Sequence, residues 1–459
     1  MLLVASLFFY ASLRAPLLIA AWGLVVVSSY FCGRKIASSS NESTKRRLLW
    51  SGIAVNAVIL CCLKYLRYIV GLVFPSIAGP ATGNPLFVTL GVSYYTLQAI
   101  SYEVDLYLGI LEPELHFGRF ALYLSFFPKM LQGPIERAGD LIPQLEAPVA
   151  FQYENVRSGL LLFGWGLFKK LAVANRLAPF VNGVYYDPHQ YGGASLIVAT
   201  YMYALQIYAD FSGYTDMALG VGRMFNVRLT QNFNAPYLAT SVADFWRRWH
   251  ISFSRWILDY IFKPLQMEWR NARILGIAAA LMVTFVFSGL WHGVSLNFLV
   301  WGALHGAYMA IAVLLRPWRN VVYDAIGLKN QSVRRVIQVF ITFNLVSFAW
   351  IFFRANSLSS AWYVASHLLS SGHHLSYAST HMGGVVGRIL NPLLLDKSKS
   401  EFALMAFSVC LMAAGNVMKK RLPVLRQPLW MRWSMYYGLV LALIFLSAYN
   451  NVGFIYFNF

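Results

Sequence analysis

The chain is poor in charge and especially poor in acid: 12% of its 459 residues are charged, with 18 Asp and Glu against 37 Lys and Arg. A soluble globular domain carries about 25% charged residues. This low charge, with 58% hydrophobic residues, argues against a water-soluble protein. It predicts an all-α, polytopic integral membrane protein with about ten to twelve transmembrane helices, since each crossing needs about 20 apolar residues. We expect further re-entrant and interfacial helices.

Cysteine is also scarce, with four residues in the whole chain. Cys32, Cys61, Cys62 and Cys410 lie within or at the edge of apolar runs, without metal-ligand spacing or a loop pair suited to a disulfide. We predict that they are packing residues. We expect no thiol nucleophile, no metal site and no bound cofactor.

The formal net charge of +19 does not indicate nucleic-acid binding. Lys and Arg are concentrated in short loops beside the apolar runs, as the sorting of positive loops to the cytoplasmic side requires. We therefore predict that the chain contacts membrane lipids and does not bind nucleic acid. No internal repeat or soluble domain interrupts the pattern, which predicts one membrane domain over residues 1–459 with a motif-dense core at about 120–315.

The segment from Phe285 to His305 places two histidines in an apolar run nearly long enough to cross a bilayer. An ionisable group inside a span costs roughly 2 to 3 kcal/mol and usually faces a cavity, a pathway or a partner. His292 is therefore either a reacting group or a hydrogen-bonding residue between helices. Gly289 and Gly293 beside it permit close backbone approach or a local break, which favours a ligand tunnel reaching His292.

Two acidic residues near the centre of the chain lie in unusual surroundings. Asp210 and Asp216 stand in an otherwise apolar helix, where uncompensated carboxylates are costly. They line a polar interior, or they pair with Arg223 or with another helix. The sequence alone leaves both possibilities open.

A helix is predicted from Val242 to Phe262, begun by Ser241 with Asp244 three residues later in the capping-box arrangement. One broad face of this helix would be aromatic, with arginines beside it, which is typical of an interfacial helix at the cytoplasmic boundary. His250 would share a face with Trp246, four residues before it. By itself it is an interfacial or a catalytic histidine.

Five ordered motifs carry a resemblance that covers most of the chain. They are FPKMLQGPIER at 127–137, YADFSGYTDMALGVGRMF at 208–225, QNFNAPYLATSVADFWRRWHISFSRW at 231–256, SGLWHG at 288–293 and FIYFNF at 454–459. With these motifs the chain resembles the membrane-bound O-acyltransferase family, in the bacterial branch that includes the alginate O-acetylation and teichoic acid D-alanyl transfer proteins. The resemblance implies a helical fold with a central tunnel. It also implies acyl transfer from a cytoplasmic thioester to a hydroxyl.

The resemblance also implies roles for individual residues. His292 of the WHG motif corresponds to the catalytic residue, and His250 to the second position of the site. Trp291 and Asn297 would shape the tunnel, with packing as the alternative for each, and His305 is expected to be structural. Arg247, Arg248 and Asp210 are the remaining candidates: the arginines would recruit an anionic donor, or would serve topology and anionic lipid.

The chemistry of the residues agrees with this family. A neutral imidazole can take the proton of a hydroxyl as the hydroxyl attacks a thioester, typically worth 10² to 10⁴ in rate, and burial favours the neutral form. We expect His292 to be this base, the donor to be acetyl-CoA or an acyl carrier protein, and the group to be acetyl. The expected acceptor is an exported polysaccharide, reached through an extracytoplasmic acyltransferase partner at a bacterial inner membrane.

Three alternatives remain open at this point. One is D-alanyl transfer from a carrier protein toward teichoic acid. Another is a transporter or channel in which His292, Asp210 and Asp216 form a proton relay. The third is a non-catalytic scaffold for an exported polymer.

Overall fold

The computed structural model describes residues 1–73, 91–147, 150–318, 330–370, 399–421, 427–449 and 453–455. All regular secondary structure within these ranges is helical, so the predicted all-α class is confirmed. The chain forms two compact units, one containing Met1–Phe163 and Thr215–Asn232, the other Gly164–Tyr214 and Phe233–Ile455. The single-domain assignment stays a prediction.

The first unit consists of helices that follow one another along the amino-terminal third of the chain. They are α1 (Leu2–Ala11), α2 (Pro16–Ser38), α3 (Glu42–Val73), α4 (Val92–Tyr107), α5 (Phe117–Ser125), α6 (Phe127–Met130), α7 (Ala138–Glu146) and the first part of α8 (Tyr153–Phe168). The FPKMLQGPIER motif places two opposite charges in the interior of this unit. Lys129 donates to the side-chain oxygen of Gln98, and Glu136 accepts from the Thr230 hydroxyl at 2.8 Å.

The second unit contains the candidate site residues. A π-helical turn (Lys169–Ala174) continues α8 into α9 (Asn175–Tyr186), and the first part of α10 (Gly193–Met224) follows. The later helices are α11 (Val242–Trp246), α12 (Ile251–Ile257), α13 (Lys263–Glu268), α14 (Arg273–His292), α15 (Leu296–Leu314), α16 (Gln331–Arg354), α17 (Leu358–His367), α18 (Lys399–Arg421) and α19 (Leu429–Leu446).

Seven helices in the described ranges are long and apolar enough to cross a bilayer. They are Pro16–Ser38, Glu42–Tyr65, Arg270–His292, Leu296–Leu314, Gln331–Arg354, Ser400–Met418 and Leu429–Leu446. The protein is therefore a multi-pass membrane protein, while a total of ten to twelve crossings stays a prediction. The cysteines are free thiols, and three of them, Cys61, Cys62 and Cys410, are exposed rather than packed inside as predicted.

Helices α14 and α15 are held in close contact by glycines. A side-chain carbon on Gly289 would lie 2.2 Å from the Phe298 carbonyl oxygen, and one on Gly302 would lie 2.3 Å from that of Phe285. Small residues allow membrane helices to approach at backbone distance. This contact fixes His292, the last residue of α14, against the first turns of α15, and it confirms the close approach predicted at Gly289.

The predicted continuous helix from Val242 to Phe262 is wrong. Its start is confirmed, because the Ser241 hydroxyl accepts from the Asp244 amide at 3.0 Å. However, α11 ends at Trp246, and His250 adopts a left-handed conformation with φ 42° and ψ 54° before α12 begins. Since this break redirects the chain, the expected single aromatic face does not form. Five aromatic residues of the segment are buried in the second unit, and two are half-buried: Phe245, Trp246, Trp249, Phe253 and Trp256, then Tyr260 and Phe262.

Candidate functional site

His292 lies at the carboxyl end of α14 and is only 3% exposed. Aromatic rings from three other helices surround its imidazole. The ring centroids of Trp301, Phe353 and Phe253 lie 5.0, 5.2 and 5.7 Å from that of His292, each ring meeting it edge to face. This surrounding shields the imidazole from water on several sides, and it agrees with the prediction of a buried histidine.

His250 is buried as well, at 1% exposure, so the interfacial interpretation is wrong for this residue. Its left-handed backbone turns the imidazole toward α10, where Phe211 meets it edge to face at 4.8 Å. Burial lowers the pKa of His250 to about 3. The side chain is consequently neutral at physiological pH.

Two aromatic side chains connect the two histidines. Phe253 of α12 lies 5.2 Å from His250 and 5.7 Å from His292. Trp291 stacks on Phe253 at 4.3 Å and lies 6.3 Å from His250. The tertiary structure therefore brings the residues of the FWRRWH and WHG motifs into one buried aromatic cluster, which we call the histidine cluster.

His305 belongs to the same cluster. The Trp246 indole donates to His305 Nδ1 at 3.2 Å, and the Trp301 ring lies 5.1 Å from the His305 ring. Trp301 thus contacts His292 on one side and His305 on the other. Sequence reasoning placed Trp246 beside His250 rather than His305 and did not identify Trp301. The spacing of four residues between Trp301 and His305 in WGALH does place both on one helix face.

Asn297 is at the start of α15, where its side-chain amide donates to the Ala355 carbonyl at 2.8 Å. This bond ties α15 to the end of α16. The contact favours the packing role that was left open for Asn297. Trp291, by contrast, contacts both histidines of the predicted pair.

Asp210 forms a buried ion pair with Lys170, whose Nζ lies 2.6 Å from Asp210 Oδ1, and not with Arg223. The carboxyl-terminal segment contributes to the same network. Lys170 donates to the Gly453 carbonyl at 2.9 Å, and the Ile455 amide donates to Asp210 Oδ2 at 2.8 Å. Asp210 therefore holds elements of the second unit together, and the residue after it, Phe211, packs on His250.

The two candidate arginines share one acidic partner. Asp244 lies 3.6 Å from Arg247 Nη2 and 3.0 Å from Arg248 Nε. The Arg247 side chain remains 73% exposed, whereas that of Arg248 is 28% exposed. Of the two, Arg247 is the one whose guanidinium is available to an anion from solvent.

Comparison of the sequence with known proteins identifies relatives of this chain. A profile of the membrane-bound O-acyltransferase family matches residues 111–359. The chain is 30% identical over 496 residues to the peptidoglycan O-acetyltransferase of Helicobacter pylori, covering 100% of this chain and 91% of that protein. The chain belongs to the membrane-bound O-acyltransferase family.

Other relatives cover most of the same region. A probable alginate O-acetylase of Azotobacter vinelandii is 32% identical over 377 residues, which is 81% of this chain and 72% of that protein. The teichoic acid D-alanyltransferase of Bacillus subtilis is 24% identical over 343 residues, which is 72% of this chain and 82% of that protein. The predicted family and enzyme class are thus confirmed, and the histidine cluster belongs to a multi-pass membrane O-acyltransferase.

The cluster offers this acyltransferase proton-transfer chemistry. In the described ranges, no three or more His, Cys, Asp or Glu side chains are grouped so that they could hold a metal ion. The cluster contains the imidazoles of His292, His250 and His305, and an imidazole in its neutral form can accept a proton from a hydroxyl. The individual roles of His292 and His250 stay predictions.

Proposed function

We propose that this membrane O-acyltransferase moves an acetyl group from a cytoplasmic thioester to a hydroxyl, for O-acylation of an exported or cell-envelope polysaccharide. The relatives named as peptidoglycan and alginate O-acetylating proteins support the acetyl group and the polysaccharide. The observation that carries the proposal is the burial of His292 among aromatic rings, beside a second histidine. No bound cofactor takes part.

His292 is the general base. It takes the proton of the acceptor hydroxyl while the hydroxyl oxygen attacks the thioester carbonyl, and it returns the proton to the departing thiolate. The aromatic rings around it exclude water, which would otherwise compete with the acceptor for the acyl group. His250, held in its left-handed turn, helps to shape the same space through Phe253 and Trp291.

The donor is acetyl-CoA or an acyl carrier protein. Both are anionic, and the exposed guanidinium of Arg247 is suited to attract either of them. The proposed location is the inner membrane of a bacterium. We expect an extracytoplasmic acyltransferase partner to pass the group on to the polysaccharide.

A second candidate is D-alanyl transfer toward teichoic acid. It is favoured by the similarity to teichoic acid D-alanyltransferases, which extends over 72% of this chain for the Bacillus subtilis protein. The higher identity to the O-acetylating relatives, 30% and 32%, supports acetyl transfer more strongly than D-alanyl transfer.

The test is transfer of radiolabelled acetyl from acetyl-CoA by the purified protein in detergent, with cognate partners present. We expect His292→Ala to fold and to transfer no label above background. If His292→Ala matches the wild type, His292 is not the base. If the wild type transfers no acetyl label but transfers radiolabelled D-alanine from a D-alanyl carrier protein, the second candidate is correct.

A further inference from the structure

Helix α15 carries two buried N–H donors one turn apart on the same face. Trp301 and His305 are both 0% exposed. Within the described residues, neither Trp301 Nε1 nor His305 Nε2 has a hydrogen-bond partner. A buried donor without a partner costs about 1 to 3 kcal/mol, and native proteins contain few of them. Two such donors together indicate a partner that the chain itself does not supply.

The hydrogen bond from Trp246 fixes the tautomer of His305. An indole nitrogen is a donor only. His305 Nδ1, which lies 3.2 Å from Trp246 Nε1, must therefore be the acceptor. The ring proton of the neutral imidazole is consequently on Nε2. Trp246 makes His305 a neutral donor at the atom that lacks a partner.

Both donors lie beside the proposed base. The Trp301 ring centroid is 5.0 Å from that of His292, with the ring planes at 89°, and 5.1 Å from that of His305. The other rings around the two donors include the phenyl groups of Phe285, Phe353 and Phe245 and the phenol of Tyr308. A neutral carbonyl oxygen fits such a site better than a permanent anion, because both donors are uncharged and the surroundings solvate charge poorly.

We propose that Trp301 Nε1–H and His305 Nε2–H bind the carbonyl oxygen of the acyl group and stabilise the negative charge that develops on it during transfer. This inference rests on the proposed function. It assigns Trp301 and His305 as further catalytic residues, and it replaces the structural role expected for His305 from the sequence.

The two donors act while the acceptor hydroxyl adds to the thioester and the thiolate leaves. The acceptor hydroxyl oxygen forms a bond to the thioester carbon as His292 takes its proton, and the carbonyl π electrons move to the oxygen. The two N–H groups donate to this oxyanion. When the carbonyl re-forms, the C–S bond breaks and the thiolate leaves with the proton from His292. Because the donors are fixed before the reaction, they favour the transition state over the ground state.

The first test compares steady-state kinetics of single variants. Trp301→Phe keeps an aromatic ring and removes the donor, so we expect kcat to fall about 10²- to 10³-fold with KM little changed. We expect His305→Phe to lose a similar factor. His305→Gln should recover part of the kcat, because its amide can donate from a similar position.

Trp350→Phe is the matched control for the change in volume. Trp350 is 0% exposed and stacks on Trp301 at 5.8 Å, but among the described residues its ring contacts are with Trp249, Trp301 and Phe353 and with neither His292 nor His305. We expect this variant to keep nearly the wild-type kcat. Equal losses in Trp350→Phe and Trp301→Phe would mean that packing explains the effect, and the inference would be overturned.

A spectroscopic measurement keeps the inference testable if a kinetic variant does not fold. Acetyl-CoA labelled with ¹³C at the thioester carbonyl is bound to His292→Ala, and the carbonyl stretch is recorded by isotope-edited infrared spectroscopy. We expect a shift to lower frequency that is reduced when His305→Phe is added. An unchanged frequency in the double variant overturns the inference.

The two proposals fail in different ways. If the wild type transfers acetyl and His292→Ala does not, but Trp301→Phe and His305→Phe keep full kcat, only the oxyanion assignment is wrong. If the wild type transfers from neither acetyl-CoA nor a D-alanyl carrier, the proposed function is wrong, and this inference is overturned with it.

Discussion

Breaking the buried ion pair between Lys170 and Asp210 should lower the free energy of unfolding by an amount that follows from the burial and geometry of the pair. The side chains are 7% and 2% exposed, and Nζ lies 2.6 Å from Oδ1. Removing one partner of a buried pair leaves the other charge uncompensated, which costs about 3 to 5 kcal/mol. Asp210→Asn would leave the Lys170 ammonium with the Gly453 carbonyl and the Phe454 ring, 4.4 Å from Nζ. Those two contacts offset only part of this loss, since a cation–π contact is worth about 0.5 to 2 kcal/mol.

A double-mutant cycle tests this reasoning. We expect Asp210→Asn and Lys170→Met each to destabilise the protein by about 3 to 5 kcal/mol. The double variant should be less destabilised than the sum of the two, because it buries no unpaired charge. The coupling free energy should be at least about 2 kcal/mol, near the upper part of the range for contacting residues.

The assay is unfolding of the full chain by SDS in mixed micelles, followed by tryptophan fluorescence. Asp259→Asn is the matched control, since Asp259 pairs with Lys263 at 2.7 Å on the surface, where the side chains are 39% and 58% exposed. Surface pairs are worth about 0 to 1 kcal/mol. An Asp210→Asn variant as stable as Asp259→Asn, or strictly additive effects in the cycle, would refute the reasoning.

Three further predictions concern the helices around the site. Burial lowers the pKa of His250 to about 3. Below about pH 6.5 the unfolded chain therefore binds a proton at His250 that the folded protein does not bind. The contribution of His250 to the free energy of unfolding should be full above that pH and should fall by roughly 2 kcal/mol toward pH 5. SDS unfolding at several pH values should show a smaller slope in His250→Asn than in the wild type, because the variant loses the contribution of His250 while the other buried histidines keep theirs. The asparagine side chain tolerates the left-handed backbone at this position. Gly302→Ala forces a carbon to within 2.3 Å of the Phe285 carbonyl, so it should lower both activity and stability, whereas Gly438→Ala, with nothing within 4 Å, should be neutral or slightly stabilising in the same two assays. Ser241→Ala should cost about 1 kcal/mol by loss of the helix cap, and an unchanged unfolding midpoint would contradict the capping role.

The sequence was a good guide wherever a property is local or compositional. Scarce charge and long apolar runs predicted helices that cross a membrane, because backbone groups in lipid must be satisfied within a segment. The Ser241 cap was readable since it spans three residues. The buried state of His292 was readable too, because no polar neighbour in the sequence separates it from its apolar run.

Prediction failed where distant segments determine conformation. The periodicity from Val242 to Phe262 fits one amphipathic helix, but packing of the aromatic side chains in the second unit favours a broken chain with His250 in a left-handed turn. The sequence did not identify the partner of Asp210 for the same reason. Lys170 is 40 residues away in the sequence, and no short-range pattern links the two.

The sequence by itself therefore determined the class of protein, its membrane residence, its family and the two histidines of its motifs. Only the tertiary structure decided which side chains share the histidine cluster, that Trp246 fixes the tautomer of His305, and that Trp301 contacts both His292 and His305. The physical reason is one of range. Hydropathy and caps act over a few neighbouring residues, whereas burial, ring contacts and hydrogen-bond partners depend on where separate helices meet.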